Sequence, residues 1–471
     1  MSEIIFDRHA VQAFRFVRCD FAADTGEARL VYAFDDGPEL VETIRFPGAP
    51  FVLDAARIQA VQQALRLLHL IAGVSYYKAA VPPRIRIESY AIDADTAALL
   101  TEIYENGLGE FAYRNGLSLR GKISFPHDAP SVPPESAVMG AALAAMTSAK
   151  TLAGSVGLRH HALVAIGGGK DSLVSIEALR KAGVQQTVTW IGSSPLIKAC
   201  AERTGLPMLN IGRSLAPALF EMNKQGALNG HIPVTAVNSA ILVLAALLND
   251  ADQVVFSNER SASYGSLIPG TGEVNHQWSK GWDFERGFAR YLRQHVAKDM
   301  RYFSLLRPFS ELAVARQFAR IDHYDAYFSS CNRNFHILGE RPVQRWCGAC
   351  PKCHFVFLAL APFMPKPRLM TIFGRNLLDE PEQANGFDAL LEYLDHKPFE
   401  CVGEGRESRA ALAALAAIPS WREDALVARF AREIRPLLDD GDLLLAPLLE
   451  PSDDHGIPPA LWGSLLENFR A

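Results

Sequence analysis

Three places along the chain carry residue types whose spacing suits chemistry. The first is "IGGGKDSLV", where Gly167, Gly168 and Gly169 run straight into Lys170, Asp171 and Ser172. Successive glycines let the backbone approach a ligand closely and turn several N–H groups toward one point. A helix starting there adds its positive end, so the turn suits phosphate. Two common phosphate signatures fail. G-x-x-x-x-G-K-[ST] is broken by Val164 five positions before Gly169 and by Asp171 after Lys170, and G-x-G-x-x-G is broken by Ser172. The bland alternative is a ligand-free strand-to-helix turn, against which stands the conformational entropy that three glycines lose on folding.

The second place is "RWCGACPKCHF", with Cys347, Cys350 and Cys353 in a C-x2-C-x2-C run. Zinc takes four thiolate or imidazole ligands in a tetrahedron, and two-residue gaps let a tight knuckle supply several of them. Gly348 and Pro351 favour a knuckle over regular helix. Iron–sulfur ligation and reduced, buried thiols are the alternatives, and His354 is a weaker candidate ligand. The third place is Cys401 in "KPFECVGEGRES". A thiol is a good acid or base at a carbon α to a carbonyl when its pKa is tuned, and an inert buried thiol otherwise.

Elements that would position these groups alternate in short order from about 158 to 260. "HALVAI" reads as a strand, "SLVSIEALRKAG" as a helix, "QTVTWIG" as a strand, "PLIKACAERTG" as a helix, and "LPMLNIG" and "DQVVFSN" as strands around a helix at 236–249. Apolar β-branched runs separated by helices predict a parallel sheet buried on both faces. Ligands of such sheets sit at the carboxyl ends of the strands, where the glycine turn falls. Asn258, Glu259 and Arg260 follow another strand onto the same rim, where Arg260 either clamps a carboxylate or phosphate or is a solvated loop arginine. Residues 1–135 read as a mixed α/β domain, with strands at "AFRFVRCDF" and "ARLVYAF" and a helix stopping at Gly73. Residues 136–365 read as the nucleotide-binding domain with the cysteine cluster, and 366–471 as a mostly helical region. The segment Phe125 to Ala137, rich in proline, is the linker candidate.

At 471 residues the chain exceeds what one core usually sustains. Its net charge of −5 argues against bulk binding to nucleic acid. No apolar helical run reaches the length of a membrane span, and the N-terminus lacks the layout of a signal peptide. Seven cysteines, three within seven residues, suit a reducing compartment with a metal site. A cytoplasmic protein without nucleic-acid or membrane partners is therefore expected.

The turn resembles the PP-loop of the ATP pyrophosphatases, S-G-G-x-D-S between a first strand and a helix. Gly168, Gly169, Asp171 and Ser172 match it, Lys170 fills the variable position, and Gly167 stands where that family usually has serine. The resemblance implies a doubly wound parallel sheet and cleavage of ATP to AMP and pyrophosphate, with an acidic residue near Mg2+. It also implies contact of adenine with the backbone at the end of the second strand, near Ile191. Some PP-loop enzymes that modify guanine-like bases carry a cysteine followed downstream by C-x2-C-x2-C. That likeness favours a structural zinc site with Cys331, from "SSCNRNF", as fourth ligand.

Six segments together, "AIGGGKDSLVSIEAL", "FSNERSAS", "RPFSELAVARQFA", "SSCNRNF", "WCGACPKCHFVFLALAPF" and "PFECVG", resemble the MurL family of epimerases of peptidoglycan synthesis. The likeness implies inversion of the terminal L-Glu of UDP-MurNAc-L-Ala-L-Glu after ATP-dependent adenylation of its carboxylate. In that scheme Gly167, Gly168, Gly169, Lys170, Asp171 and Ser172 hold the nucleotide, and Asn258, Glu259 and Arg260 face the substrate. Candidates for the base are Cys401, Glu259 and Asp283, in that order. The alternatives are a PP-loop ligase or thiolase acting on another carboxylate or a nucleobase, and a nucleotide-binding switch without catalysis.

Overall fold

A computed structural model describes residues 6–127, 153–268, 272–335, 342–393 and 397–470. Of the proline-rich segment, 128–137 lies outside the described residues. The fold is α/β, and the chain forms two compact units, each assembled from three segments.

The first unit takes residues 1–159, 212–252 and 287–301. Strand β1 (Ala13–Ala22) pairs antiparallel with β2 (Glu27–Phe34), β2 with β3 (Leu40–Arg45), and β1 pairs parallel with β4 (Arg84–Ile87). In β1, Phe14 and Phe16 turn to the core on either side of Arg15, and in β2 the whole run Leu30–Phe34 is apolar and buried, so that this strand is covered on both faces. The helix Ala55–Ala72 is capped by Asp54, whose carboxylate accepts from the Arg57 N–H at 2.8 Å. The helix ends at the expected glycine, but for another reason than a left-handed cap. Gly73 has φ −54, and a Cβ there would stand 2.4 Å from the Phe16 ring. Close packing explains this glycine.

The second unit takes residues 160–211, 253–286 and 302–471. Here β5 (Arg159–Ala165), β6 (Gln186–Ile191) and β7 (Met208–Ser214) pair in parallel, with Leu163 opposite Thr187 and Thr189 opposite Leu209. Strands β8 (Ala251–Phe256), β9 (Ser266–Ile268), β10 (Gly272–Val274) and β11 (Arg301–Ser304) follow; β9 and β10 form a small separate ribbon. The order across the main sheet is β11-β8-β5-β6-β7. The chain leaves β5 for β6 on one side and comes back to β8 on its other side, so the carboxyl end of β5 is a topological switch point. That is the location of the glycine turn. The last residues of β7, Gly212–Ser214, fall in the first unit and pair there antiparallel with Thr43–Arg45 of β3. From Glu311 onward the described chain is helical, and Leu312, Phe318, Phe355, Phe357, Leu412 and Trp421 bury a common core. No helix among the described residues is long and apolar enough to cross a membrane.

Candidate active site

The loop follows directly from its strand. β5 runs apolar to Ala165, Ile166 still donates to the Thr189 carbonyl at 2.9 Å, and the three glycines then turn the chain into the helix Lys170–Lys181. Gly168 has φ +77, the left-handed region that a side chain disfavours. Gly169 is extended, but a Cβ on it would stand 2.6 Å from Ser330 Oγ. Gly167 has open space where its Cβ would be. Ser172 Oγ closes the turn, donating to the Gly169 carbonyl at 3.1 Å and accepting from the Gly167 N–H at 3.4 Å. The first N–H groups of the helix, which have no intrahelical acceptor, therefore begin at the loop.

A chain of buried charge runs from this loop to Cys401. Lys170 is buried and bonds both Asp171 and Glu311. Burial alone would lower its pKa, but the two carboxylates hold it raised and protonated. Asp171 keeps 26% side-chain exposure; burial works to raise its pKa, and Lys170 and Lys352 outweigh burial and hold it low. Glu311 lies 3.7 Å from the Lys352 ammonium, which donates to the Cys401 carbonyl. The Cys401 thiol in turn lies 3.0 Å from Lys280 Nζ. Burial pushes that thiol up, but Lys280, a hydrogen bond with His276 and the charge of Lys352 bring it down to about 5.

Arg307, almost fully buried, ties the backbone beside these groups. It pairs with buried Glu285 at 3.0 Å, donates to the Glu259 carbonyl at 2.7 Å, and also donates to the Lys280 carbonyl. Glu259 caps the short turn Arg260–Ser263 by accepting from the Ala262 N–H at 2.8 Å. Burial, and then the neighbouring carboxylates Glu311, Glu407 and Asp171, push its pKa up to about 8 against the charge of Arg307. Its carboxyl is thus biased toward the neutral form.

The remaining candidates fall as follows. Asn258 donates to Ser304 Oγ at 3.0 Å, and the Arg260 guanidinium donates to the carbonyls of Glu450 and Leu448 at 3.1 and 3.4 Å. Ile191 ends β6, and the next residue, Gly192, donates to the Ile211 carbonyl. Asp283 is at the surface, paired at 3.4 Å with Arg286, and is not among the groups around Cys401. Lys280, His276, Arg307, Glu311 and Lys352 did not stand out in the sequence reading. Arg307 and Glu311 lie in "RPFSELAVARQFA", and His276 and Lys280 lie in the polar, aromatic loop "NHQWSKGWDFE". That loop reads in sequence equally well as a loop over a sugar or uracil and as an ordinary surface loop.

The four cysteines Cys331, Cys347, Cys350 and Cys353 form a second cluster, with sulfur atoms all within 4.8 Å of one another. His354 is turned elsewhere, with Nε2 2.8 Å from Gln383 Oε1 and its ring stacked on Phe387.

With this geometry in hand, comparison with known proteins gives a consistent result. Residues 5–305 match the MurL N-terminal domain and residues 327–442 the MurL C-terminal domain. A UDP-N-acetyl-alpha-D-muramoyl-L-alanyl-L-glutamate epimerase of Xanthomonas oryzae pv. oryzae (strain MAFF 311018) is 70% identical, over 98% of this chain and 99% of its own length. Proteins of the same name from Micromonospora sp. and Salinispora tropica are each 42% identical, over 95% and 88% of this chain and 96% and 88% of their own lengths.

Proposed function

The chain belongs to the MurL family, and from that premise we propose that it is an ATP-dependent epimerase. Its substrate on this reading is UDP-N-acetylmuramoyl-L-alanyl-L-glutamate, whose terminal glutamate it inverts to the D form. The name shared by the relatives supports the substrate and the inversion. Support for the ATP step comes from the glycine turn at the switch point of the second unit.

The chemistry needs both halves. Removing the α-proton of a free glutamate carboxylate would place a second negative charge on an anion. Attack of that carboxylate on the α-phosphorus of ATP releases pyrophosphate and leaves a mixed anhydride whose acyl group no longer carries the carboxylate charge, so that its enolate is far less costly. Gly168, Gly169 and the first turn of the helix would face the phosphates, with Lys170 balancing charge. Asp171, low in pKa and partly exposed, would be the carboxylate to hold Mg2+, which would neutralise phosphate charge when bound. The backbone at the end of β6, near Ile191, would meet adenine. The domain is then of the PP-loop type.

For inversion, Sγ of Cys401 takes the α-proton as a thiolate, and a proton returns to the opposite face from Glu259. Environments that push two pKa values apart mark an acid and a base; here the thiol is held down and the carboxyl up. Water then cleaves the anhydride to the D-glutamyl product and AMP. The observation that supports this reading most is the run Lys170–Glu311–Lys352–Cys401–Lys280, which joins the loop to the thiol within one unit. The test is incubation with ATP, Mg2+ and the UDP-MurNAc-dipeptide, following AMP and the configuration of glutamate. AMP together with D-glutamate is expected. AMP without inversion would move the reading to a ligase, and no AMP would remove the adenylation step.

A further inference from the structure

The four-cysteine cluster has no part in that reaction. None of its thiols is in a disulfide, and the Cys347–Cys353 and Cys350–Cys353 sulfur separations are 3.7 and 3.4 Å. In a tetrahedron of thiolates about 2.3 Å from zinc, sulfur atoms stand about 3.8 Å apart. The backbone around the cluster suits thiolates. Gly348, at φ +65, lets the turn from Cys347 to Cys350 close, and the Ala349 N–H donates to Cys347 Sγ at 3.5 Å. Cys350 caps the helix Pro351–Leu360 and Cys353 lies in its first turn, so the positive helix end faces the sulfurs. Trp346, beside Cys347, packs against Phe328 and Phe373, and Cys331, Cys350 and Cys353 are buried. Four bare thiols packing as small hydrophobes would require none of these features.

The cluster is also fastened to the glycine loop. The Cys331 N–H donates to Ser329 Oγ at 3.1 Å, and that hydroxyl donates to the Arg345 carbonyl at 2.6 Å. The Ser329 N–H donates to the Gly168 carbonyl at 2.9 Å, and Ser330 Oγ occupies the space that a Cβ on Gly169 would need. Two residues therefore separate a metal-type ligand from the carbonyl of the one glycine in the turn with positive φ.

We propose that Cys331, Cys347, Cys350 and Cys353 hold one zinc ion, and that this centre fixes Ser329–Cys331 against the glycine loop and so sets the loop's shape. All four positions of the ion are filled by protein, which leaves it no place for water or substrate. Its role is to position. The effect on the loop stands on the contacts above, and only its consequence for ATP rests on the function proposed in the preceding section.

The experiment measures metal content in the purified full chain, then backbone hydrogen exchange with and without the metal. About one zinc per chain is expected, and cobalt in its place should give the visible bands of a tetrahedral thiolate site. After chelation, or in Cys331→Ser, the amides of Gly168–Ser172 and Ser329 should exchange about tenfold faster or more, while the strands β5 and β6 keep their protection. Circular dichroism identifies a variant that simply fails to fold, in which case the chelated native chain carries the comparison. A folded native chain with less than about a tenth of a zinc, or with iron and sulfide, overturns the metal assignment. Unchanged exchange in the loop of a folded, metal-free chain overturns the coupling. If the loop responds but the metal-replete chain binds no ATP, this inference holds and the nucleotide reading falls.

Discussion

Replacing Lys280 by methionine tests the base directly, because it keeps the stem and removes the charge. The ammonium is 3.0 Å from Cys401 Sγ. At an effective dielectric of about 20, two unit charges at that distance interact by about 5 kcal/mol, or roughly four pKa units. The thiol is drawn from 9.0 to about 5 against its own burial, with His276 and Lys352 contributing and the neighbouring Glu400 opposing. Without Lys280 the thiol should therefore rise by two to four units, to about 7–9. At pH 7 the thiolate, almost complete in the native protein, would fall to between about a half and a hundredth of the molecules. The assay is the rate of iodoacetamide alkylation of Cys401 against pH, read by mass spectrometry of its peptide. The native inflection should lie near 5, and that of Lys280→Met well above it. Exchange of the substrate α-proton with D2O should fall at neutral pH in the same proportion and recover at alkaline pH, while AMP release persists. Lys280→Arg should restore much of the acidic inflection. An inflection that stays near 5 in Lys280→Met refutes the reasoning, as does Cys401→Ser with undiminished α-proton exchange.

Three further outcomes are expected. The glycines of the loop should not be equivalent: Gly168→Ala should cost about 1–2 kcal/mol from its positive φ, and Gly169→Ala should disturb Ser330. Gly167→Ser, with open space around it, should stay within about 0.5 kcal/mol of native by urea denaturation. Glu259 titrates higher in the folded chain, about 8, than its ordinary value of 4.5, so the stability it contributes is full below 4.5 and is lost as pH rises through 8. Glu259→Gln should flatten that decline in melting temperature between about pH 4.5 and 8, and by removing the proton donor it should lower the rate of inversion about a hundredfold or more while AMP release persists, whereas the native rate of inversion should fall through an alkaline limb near pH 8. Arg307→Leu leaves Glu285 buried without its partner and should destabilise the second unit by about 3–5 kcal/mol, whereas Arg286→Leu, on the exposed pair with Asp283, should change the denaturation midpoint little.

Features that depend on near neighbours in the chain were legible. Apolar β-branched runs between amphipathic helices identify β5, β6 and β7 because each element's period is local, and the glycine turn is readable because its residues are contiguous. Three of the clustered cysteines are readable for the same reason. The antiparallel pairing of β3 with β7 was not, since it joins residues 43–45 to residues 212–214 without any local mark. The partners that charge the site are likewise remote. Glu311 stands 141 positions from Lys170, and Lys280 stands 121 positions from Cys401. A lysine in a polar loop has the same composition whether it faces water or a thiol.

That distance has a physical consequence for how such a site can be recognised. Arg260 has the residue type and rim position expected of a clamp, yet its guanidinium is held by the carbonyls of Leu448 and Glu450. Asp283 is as acidic in sequence as Glu259, yet it is exposed, while Glu259 is buried among carboxylates that keep its proton on. Residue type sets which protonation states are accessible, but burial and the remote charges select among them. Cys401 is the clearest case. Alone between glycines and acidic residues it reads either as an inert thiol or as an acid–base group, and the fold, by bringing up Lys280 and His276, tips it toward the thiolate.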